Sequence, residues 1–191
     1  MHKPVLLKEV LEFAAPTDPK WIMDGTFGRG GHTRALLEAH PQAKVIALDQ
    51  DVAAIDYARD AFAAPVAEKR LTVEHFNFHD VAKLTSRPAR GFDVILLDLG
   101  VSSPQLDEPE RGFSFYHEGP LDMRMNQTQE TTAAEVVNTW SEVELNHLFI
   151  KYGEVRRPQR VVRAIVNDRK EKQYATTRDL SGLIERVEAP R

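Results

Sequence analysis

The most informative stretch of this chain is Asp24-Gly25-Thr26-Phe27-Gly28-Arg29-Gly30-Gly31-His32. It follows the short apolar run 21–23 and precedes a helical pattern over 33–38, so the order is strand, glycine-rich turn, helix. Glycines allow a sharp turn and let a ligand approach the main chain closely. The N–H groups at the start of the helix can bind a polar or anionic ligand. The stretch therefore predicts a nucleotide-type cofactor site.

Strand and helix patterns alternate through the first hundred residues. Strands are predicted at 21–24, 44–49, 71–76 and 92–98, and helices at 5–13, 33–40 and 52–63, with a weak one near 80–84. The second and fourth strands are nearly continuous apolar runs, which is typical of strands covered on both faces. Alternation of this kind predicts βαβ units. The expected fold class is α/β, with a parallel, Rossmann-like sheet.

The second half of the chain changes character. Residues 99–129 are rich in Gly, Pro, Ser, Asp and Arg without a clean period, and a loop of that length is usually functional. Helical patterns then follow at 133–140, 142–151, 156–172 and 177–187, the second opened by a capping box at 141–144. We expect an α/β domain over 1–105, an active-site loop over 106–130 and an all-helical domain over 131–191. Four strands make an incomplete doubly wound sheet, which predicts a truncated protein.

Composition excludes several classes of function. The 191 residues contain no cysteine, which rules out disulfides, thiolate metal sites and cysteine nucleophiles and fits a reducing cytosol. No apolar run approaches a membrane span of about 18 residues, and the N-terminus lacks a signal-peptide core. The seven histidines are scattered, so no metal site is predicted. We expect a cytoplasmic protein with no membrane partner.

Charge is distributed unevenly along the chain. Residues 151–191 carry 11 basic and 6 acidic side chains, a net charge of +5, whereas residues 1–150 carry −9. A basic helical segment on an acidic body suggests a polyanionic partner. A solvated helix face is the alternative interpretation.

Asp49 and the spacing of the glycines narrow the choice of cofactor. Asp49 ends the second predicted strand, 21 residues after Gly28, where a carboxylate accepts hydrogen bonds from ribose hydroxyls. NAD and S-adenosylmethionine both suit this arrangement. The glycines at 25, 28, 30 and 31 do not form the G-x-G-x-x-G of dinucleotide sites, which favours S-adenosylmethionine. A tight turn without a ligand is the remaining alternative.

Asp98 ends the fourth predicted strand and precedes a short polar segment, residues 99–105. Ligands of open parallel sheets lie beyond the carboxyl ends of the strands, so Asp98, Asp49 and the glycine loop are expected to converge. Asp98 and the carbonyls of 99–104 can accept hydrogen bonds from an exocyclic amine and aim its lone pair at a methyl group. A turn cap is the alternative for Asp98.

Several segments resemble the bacterial ribosomal RNA small-subunit methyltransferase H family, also called MraW. They are His2–Val10, Asp24–His32, Ala47–Asp51, Asp98–Phe115, Gly119–Met125, Tyr152–Glu154 and Arg163–Val166. The resemblance implies transfer of a methyl group from S-adenosylmethionine to N4 of a cytidine in 16S rRNA, in the decoding region of the small ribosomal subunit. Gln50 stands where many members have Arg, and Pro158 falls inside an expected helix, which we expect to begin near 158.

The resemblance also implies site residues. The cofactor contacts it implies are Gly30, Gly31, His32, Asp49, Phe78, Asp98 and Gln105, with Phe78 near the adenine. We assign catalysis to Asp98, Ser103 and Pro104, and RNA binding to Arg111, Arg124, Arg156 and Arg157. The family continues beyond the motifs present here, through a His-Pro-Ala-Thr-Arg run, so this chain alone is expected to lack part of the site.

The predicted loop 106–130 has its own features. Charges of both signs can pair to order it over the site: Asp107, Glu110, Arg111, Asp122 and Arg124. Its aromatic residues Phe113, Phe115 and Tyr116 can stack on a flipped cytosine, or pack beneath the loop as a small core. Two other functions stay open at this point: an NAD-type oxidoreductase and a non-catalytic RNA-binding or ribosome-assembly module. The sequence also leaves monomer and homodimer open.

Overall fold

The computed structural model describes residues 4–188. The family match at His2 and Lys3 and the charge of Arg191 lie outside the described residues. A four-stranded parallel sheet has the order β3-β2-β1-β4. Its strands are β1 (Trp21–Asp24), β2 (Lys44–Asp49), β3 (Leu71–His75) and β4 (Val94–Leu96). The predicted α/β fold with a parallel, Rossmann-like sheet is confirmed.

Burial differs between the two apolar strands. Residues 45–48 of β2 are all buried, as expected for a central strand covered on both faces. The same prediction is wrong for β4, where Ile95 is 58% exposed. The reason is position, because β4 pairs with β1 alone in the described sheet. Asp24 at the end of β1 lies opposite Ala47 of β2 and Leu96 of β4, so the strand ends form one edge.

Helices of the first half pack against this sheet. They are α1 (Leu7–Ala14), α2 (Gly31–Ala39), α3 (Val52–Ala61) and α4 (Ala63–Ala67). The prediction missed α4, and the weak helix near 80–84 is a 3-10 turn, Phe78–Lys83. Asp51 begins α3 as its N-cap, its side chain accepting the Ala53 N–H. The core of this part is formed by Ile22, Leu36, Val45, Ala47, Ala58 and Phe62, all nearly inaccessible to solvent.

The chain divides after Gly100 into two compact units, which we call the α/β unit and the helical unit. The division lies five residues before the predicted boundary at 105 and assigns the predicted loop 106–130 to the helical unit. The helical unit contains α5 (Ser103–Asp107), α6 (Ala133–Thr139), α7 (Glu142–Lys151), α8 (Gln159–Asp168) and α9 (Thr177–Glu188). Its core includes Leu145, Val162, Ile165 and Leu183.

Local sequence signals explain where these helices begin. The capping box predicted at 141–144 is present, with Ser141 and Glu144 each accepting the other's N–H. Helix α8 is shorter than the predicted 156–172. Its start agrees with the one expected near 158, because Pro158 lacks an N–H and acts as the N-cap. Helix α9 has a second reciprocal cap between Thr176 and Asp179.

The glycine- and proline-rich stretch 99–129 contains more regular structure than predicted. Helix α5 and a 3-10 turn at Pro109–Arg111 lie within it. The Arg124 guanidinium pairs with the Asp122 carboxylate, with an N–O distance of 2.6 Å. Over the described part of the chain, residues 4–188, no helix is long and apolar enough to cross a bilayer.

Candidate active site

Hydrogen bonds fix the glycine loop to both strands that neighbour β1. The Phe27 N–H donates to the Leu48 carbonyl, and the Gly25 N–H donates to the Leu96 carbonyl, both at 2.9 Å. The Thr26 hydroxyl accepts the Asp98 N–H at 2.7 Å. The loop therefore joins the ends of β1, β2 and β4 into one rigid edge. Thr26 was not singled out from the sequence, because a threonine in a turn carries no signal that it will bind a strand 72 residues away.

The Asp49 carboxylate supports the loop directly. Its Oδ2 accepts the Gly28 N–H at 2.7 Å, and its Oδ1 accepts the Asp51 N–H at 2.9 Å. Burial raises the pKa of Asp49 above its usual range, while these N–H donors act in the opposite direction. Each carboxylate oxygen has a second lone pair, so Asp49 retains capacity for hydroxyl donors such as those of a ribose.

Asp24 is a further acidic residue, which sequence reasoning placed in the loop without assigning it a role. It is 1% exposed, accepts the Thr33 hydroxyl at 2.6 Å and accepts the Thr26 N–H at 3.1 Å. Burial raises its pKa, and the bond from Thr33 opposes that rise. Asp24 therefore ties the end of β1 to the first turn of α2. A hydroxyl nine residues after an acid at a strand end is the weak signal that could have indicated this pair.

The loop glycines serve different purposes. Gly30 adopts a φ of +69°, and a Cβ there would lie 2.4 Å from Cζ of Phe62 and 2.6 Å from Cε2 of Phe27. Its N–H is also bound to the Phe27 carbonyl. A Cβ at Gly31 would lie 2.5 Å from Cγ of Pro4. The absence of side chains at Gly30 and Gly31 is therefore required by packing within the protein, whatever ligand the loop holds.

Gly28 differs from these two glycines. It adopts a φ of +55°, and a Cβ there would meet nothing closer than the Thr26 carbonyl oxygen at 4.0 Å. The Cα of Gly28 thus faces open space, while its N–H is held by Asp49. This is the position of the loop where another molecule can approach the backbone.

His32 and Asp98 approach each other beside the loop. The buried His32 ring has its Nε2 2.9 Å from the Val5 carbonyl oxygen, so we assign the proton to Nε2, because a carbonyl only accepts. Nδ1 then lies 3.8 Å from Oδ2 of Asp98, whose side chain is 46% exposed. Two acceptors facing each other at this distance form a site suited to a donor such as an ammonium group.

Phe78 lies at the base of the same edge. It begins the 3-10 turn that follows β3 and packs half-buried against a cluster containing Met23, Ile46 and Leu48. Its Cβ lies 3.2 Å from the position that a Cβ on Gly25 would occupy. The α/β unit thus brings together six predicted cofactor residues: Gly30, Gly31, His32, Asp49, Phe78 and Asp98.

The other predicted site residues belong to the helical unit. Ser103 and Pro104 form the first turn of α5. Gln105 is buried, and its Oε1 accepts the Ser102 N–H at 2.9 Å as part of a capping box. Its predicted role as a cofactor contact competes with this structural role.

Two of the arginines predicted to bind RNA stabilise the protein's own loop. Arg111 is 4% exposed and donates to the carbonyls of Arg124 and Met125. Arg124 pairs with Asp122 and donates to the carbonyls of Gln127 and Gln129. Burial of Arg111 argues against direct phosphate contact, because its guanidinium does not reach solvent. Arg156 and Arg157 are exposed and remain candidates.

Two of the three loop aromatics are exposed, whereas Phe113 is half-buried. Phe115 and Tyr116 are 64% and 78% exposed, and their rings contact each other at a tilt of 33°, with centroids 4.5 Å apart. The Ser114 hydroxyl accepts the Tyr116 N–H, which fixes the turn that carries them. Of the two interpretations left open, packing beneath the loop is wrong for this pair.

Comparison with known proteins identifies the family to which the chain belongs. The sequence pattern described as the MraW methylase family matches residues 1–191. The chain belongs to the MraW methylase family. It is 56% identical over 190 residues to the ribosomal RNA small subunit methyltransferase H of Bdellovibrio bacteriovorus, covering 98% of this chain and 57% of that protein. It is 50% identical over 189 residues to the protein of the same name from Chelativorans, covering 97% and 52%.

This member of the MraW methylase family spans between 52% and 60% of the length of the curated relatives it matches. Among solved structures, a methyltransferase from Geobacter sulfurreducens has a TM-score of 0.36 and 14% identity, covering 43% of each chain. That likeness is too low to carry an argument.

Cavities and metal ligands do not add a second site to this edge. Two open cavities of about 380 and 320 Å³ lie elsewhere, the first beside Tyr174 and Arg186 and the second beside Arg34 and Arg70. Among residues 4–188, no group of three or more His, Asp or Glu side chains is placed to hold a metal ion.

Proposed function

We propose that the full-length protein transfers a methyl group from S-adenosylmethionine to N4 of a cytidine in 16S rRNA of the small ribosomal subunit, in the decoding region. One observation carries the proposal: in a member of the MraW methylase family, Asp49 and Asp98 both contact the glycine loop at a single edge of the sheet. The choice of N4 of cytidine follows from the resemblance stated above. The names of the relatives support rRNA as the substrate.

The donor groups at this edge fit S-adenosylmethionine. Gly28 leaves open space against the backbone, where a side chain would obstruct a ligand. Asp49 provides carboxylate oxygens for the ribose hydroxyls. Asp98 and Nδ1 of His32 provide two acceptors for the N–H donors of an α-ammonium group. When bound, this cofactor supplies a methyl group activated by a sulfonium.

The same carboxylate suits the acceptor amine. The exocyclic amine of cytosine is a poor nucleophile because its lone pair is delocalised into the ring. An acceptor on its N–H holds the amine so that the lone pair faces the methyl group. Positive charge would develop on N4 as the N–C bond forms and the S–C bond breaks with its electron pair going to sulfur. A carboxylate beside N4 would stabilise that charge until N4 loses a proton. Asp98, whose exposed side chain lies two residues beyond the end of β4, is the residue we assign to this role. The catalytic roles predicted for Ser103 and Pro104 in the helical unit stay predictions.

A flipped base also needs an aromatic partner. Phe115 and Tyr116, whose rings contact each other at a tilt, are both exposed on a turn that the Ser114 hydroxyl holds. Stacking between a base and an aromatic side chain is tolerant of sequence and independent of charge. We assign this pair to contact with the RNA substrate.

The test is methylation of assembled small ribosomal subunits by the full-length protein and its Asp98→Ala variant. We expect the variant to lose activity by a factor of about 100 to 10,000, while RNA affinity changes little, because Asp98 contacts the reacting amine. Asp60→Ala, which removes an exposed carboxylate from α3, is the matched control and should keep full activity.

Two results would contradict the proposal. One is the absence of N4-methylcytidine after incubation of wild-type protein, cofactor and subunits. The other is full activity of Asp98→Ala. Calorimetry with S-adenosylmethionine and with NAD separates the proposal from an oxidoreductase, since only the first ligand is expected to bind.

A further inference from the structure

The basic residues of the helical unit differ in whether the unit itself holds their side chains. One group is held by the unit itself, through carboxylates or main-chain carbonyls: Arg160, Arg163, Arg169, Lys172 and Arg186. Lys151, Arg156 and Arg157 differ from these. All three are exposed, and over residues 4–188 none of them forms an ion pair with a carboxylate. Much of the positive charge seen in the sequence is therefore structural. Of the exposed cations in residues 101–188 that neither a carboxylate nor a main-chain carbonyl holds, Lys170 and Arg178 lie farther along the chain, and the other three lie at the turn between α7 and α8.

The turn between α7 and α8 has a fixed backbone. The N–H groups of Gly153 and Val155 both donate to the Phe149 carbonyl at 3.1 Å. Pro158 is buried at the start of α8. We call residues 151–157 the α7–α8 corner. The Phe149 carbonyl holds the backbone of the corner at its start, and the buried Pro158 holds it at its end. Fewer backbone conformations are then lost on binding, which lowers the entropy cost.

Tyr152 gives the α7–α8 corner an aromatic face. The residue is 72% exposed, although a tyrosine ring of this size is usually covered at least in part. The Lys151 ammonium lies 5.0 Å from the centre of the ring. A cation and an exposed ring therefore stand side by side, four to six residues before two further cations, Arg156 and Arg157.

We propose that the α7–α8 corner binds single-stranded RNA, with Tyr152 stacking on a base and Lys151, Arg156 and Arg157 contacting phosphates. The proposal rests on the proposed function in taking RNA as the substrate, and it assigns a contact surface that the catalytic edge does not include. The combination fits this ligand because single-stranded RNA requires both a cationic surface along the backbone and aromatic faces for unstacked bases.

Charge complementarity favours RNA over a protein partner. The corner has three cations and a single carboxylate, that of Glu154. A protein interface of ordinary composition would leave such a cluster of like charges unneutralised at its centre, where charged residues are depleted. A second copy of the chain would oppose cation to cation across a symmetric contact.

The first experiment measures the salt dependence of RNA binding. Fluorescence anisotropy with a labelled single-stranded oligoribonucleotide is recorded over a range of salt concentrations with the full-length protein. Replacing Lys151, Arg156 and Arg157 together by Ala should reduce the slope of log K against log salt concentration by about 2, because each phosphate contact on a single strand contributes about 0.7.

The matched control removes the same charge from the α/β unit. Lys20, Arg59 and Lys83 are also exposed, but each is paired with its own carboxylate, so replacing all three by Ala should leave the slope unchanged. An equal reduction of the slope in both triple variants would overturn the proposal. It would show that the salt dependence follows the net charge of the protein and not the position of the three cations.

The second experiment isolates the aromatic face. Tyr152→Leu keeps an apolar side chain and loses the ring, whereas Tyr152→Phe keeps the ring and loses only the hydroxyl. We expect Tyr152→Leu to weaken RNA binding by a factor of about 5 to 100, the range for one stacked base. Tyr152→Phe should bind within about twofold of wild type. Equal affinity for both variants would overturn the stacking role.

The melting temperature tests the alternative that another part of the full-length protein, and not RNA, covers the α7–α8 corner. If Tyr152→Leu lowers the melting temperature by several degrees and leaves RNA affinity intact, another part of the full-length protein covers the ring and the proposal fails. Methylation is measured separately. If the wild-type protein methylates RNA and the corner variants bind RNA as tightly as wild type, only the proposal for the α7–α8 corner is refuted. Loss of RNA binding in the corner variants of a protein that methylates nothing supports the corner and refutes the proposed function.

Discussion

Replacing Gly30 and Gly28 by alanine should separate the structural glycine of the loop from the ligand-facing one. Both residues have positive φ, +69° and +55°, where an L side chain costs about 1–2 kcal/mol. Only Gly30 carries a second cost. Its new Cβ would lie 2.4 Å from Phe62 and 2.6 Å from Phe27, inside an edge-to-face aromatic pair, and overpacking of this kind costs about 1–3 kcal/mol.

These values predict that Gly30→Ala mainly lowers stability, whereas Gly28→Ala mainly lowers the affinity for the cofactor. Gly30→Ala should lower the free energy of unfolding by about 2–5 kcal/mol, and Gly28→Ala by about 1–2 kcal/mol. The Cβ of Gly28→Ala enters the open space proposed for the cofactor, so its affinity for S-adenosylmethionine should fall at least about tenfold, or about 1.4 kcal/mol. Gly30→Ala should keep its affinity within about threefold wherever it remains folded.

Urea denaturation and isothermal calorimetry measure the two quantities on the same samples. A second substitution checks the cause: Phe62→Leu removes the ring that the new Cβ would meet, so its cost should be smaller in the Gly30→Ala background than in wild type. The reasoning is refuted if Gly28→Ala destabilises the protein as much as Gly30→Ala while binding the cofactor normally. Additive costs of Gly30→Ala and Phe62→Leu would refute the steric explanation.

Two further predictions concern buried or bonded carboxylates. The pKa of Asp179 is held far below its usual range by Lys172 and by the N–H groups of Ala175 and Thr176, so its stabilisation is complete above the unfolded pKa near 3.8 and is lost as pH falls through the lower folded pKa. Asp179→Asn should therefore cost about 1–2 kcal/mol at neutral pH and less below pH 3.8 in urea denaturation, and an equal cost at both pH values would contradict this. The pKa of buried Asp24 is raised, so ionised Asp24 costs stability as pH rises above its unfolded value of 3.8. Thr33→Val removes the bond that opposes this rise and should cost about 1.5–3 kcal/mol at neutral pH and less near pH 4, with Thr33→Ser as the control that keeps the hydroxyl.

The α/β unit was predictable because its signals are local. The alternation of apolar runs and helical patterns placed all four strands, and β2 matched its predicted bounds of 44–49. The glycine loop and Asp49 were recognised because a strand end followed by glycines has few physical explanations. Helix α4 and helix α5 were missed because each has only five residues, too short to display a helical period.

The roles of individual charged residues were not predictable in the same way. Arg111 and Arg157 look alike in sequence, since both lie in polar segments beside proline or glycine. The structure buries Arg111 among main-chain carbonyls and leaves Arg157 exposed. Such a difference depends on which carbonyls the fold brings near the guanidinium, and that information is distributed over the whole chain.

The order of elements, the parallel sheet and the position of the glycine loop were determined by the sequence alone, because hydrophobic period and glycine placement act within a few residues. Tertiary structure decided what each group does there. It assigned Gly30 to a contact with Phe62, Gly28 to open space and Asp24 to Thr33, and it left Lys151, Arg156 and Arg157 exposed in the α7–α8 corner. Those assignments depend on distances between residues far apart in the chain, which only packing sets.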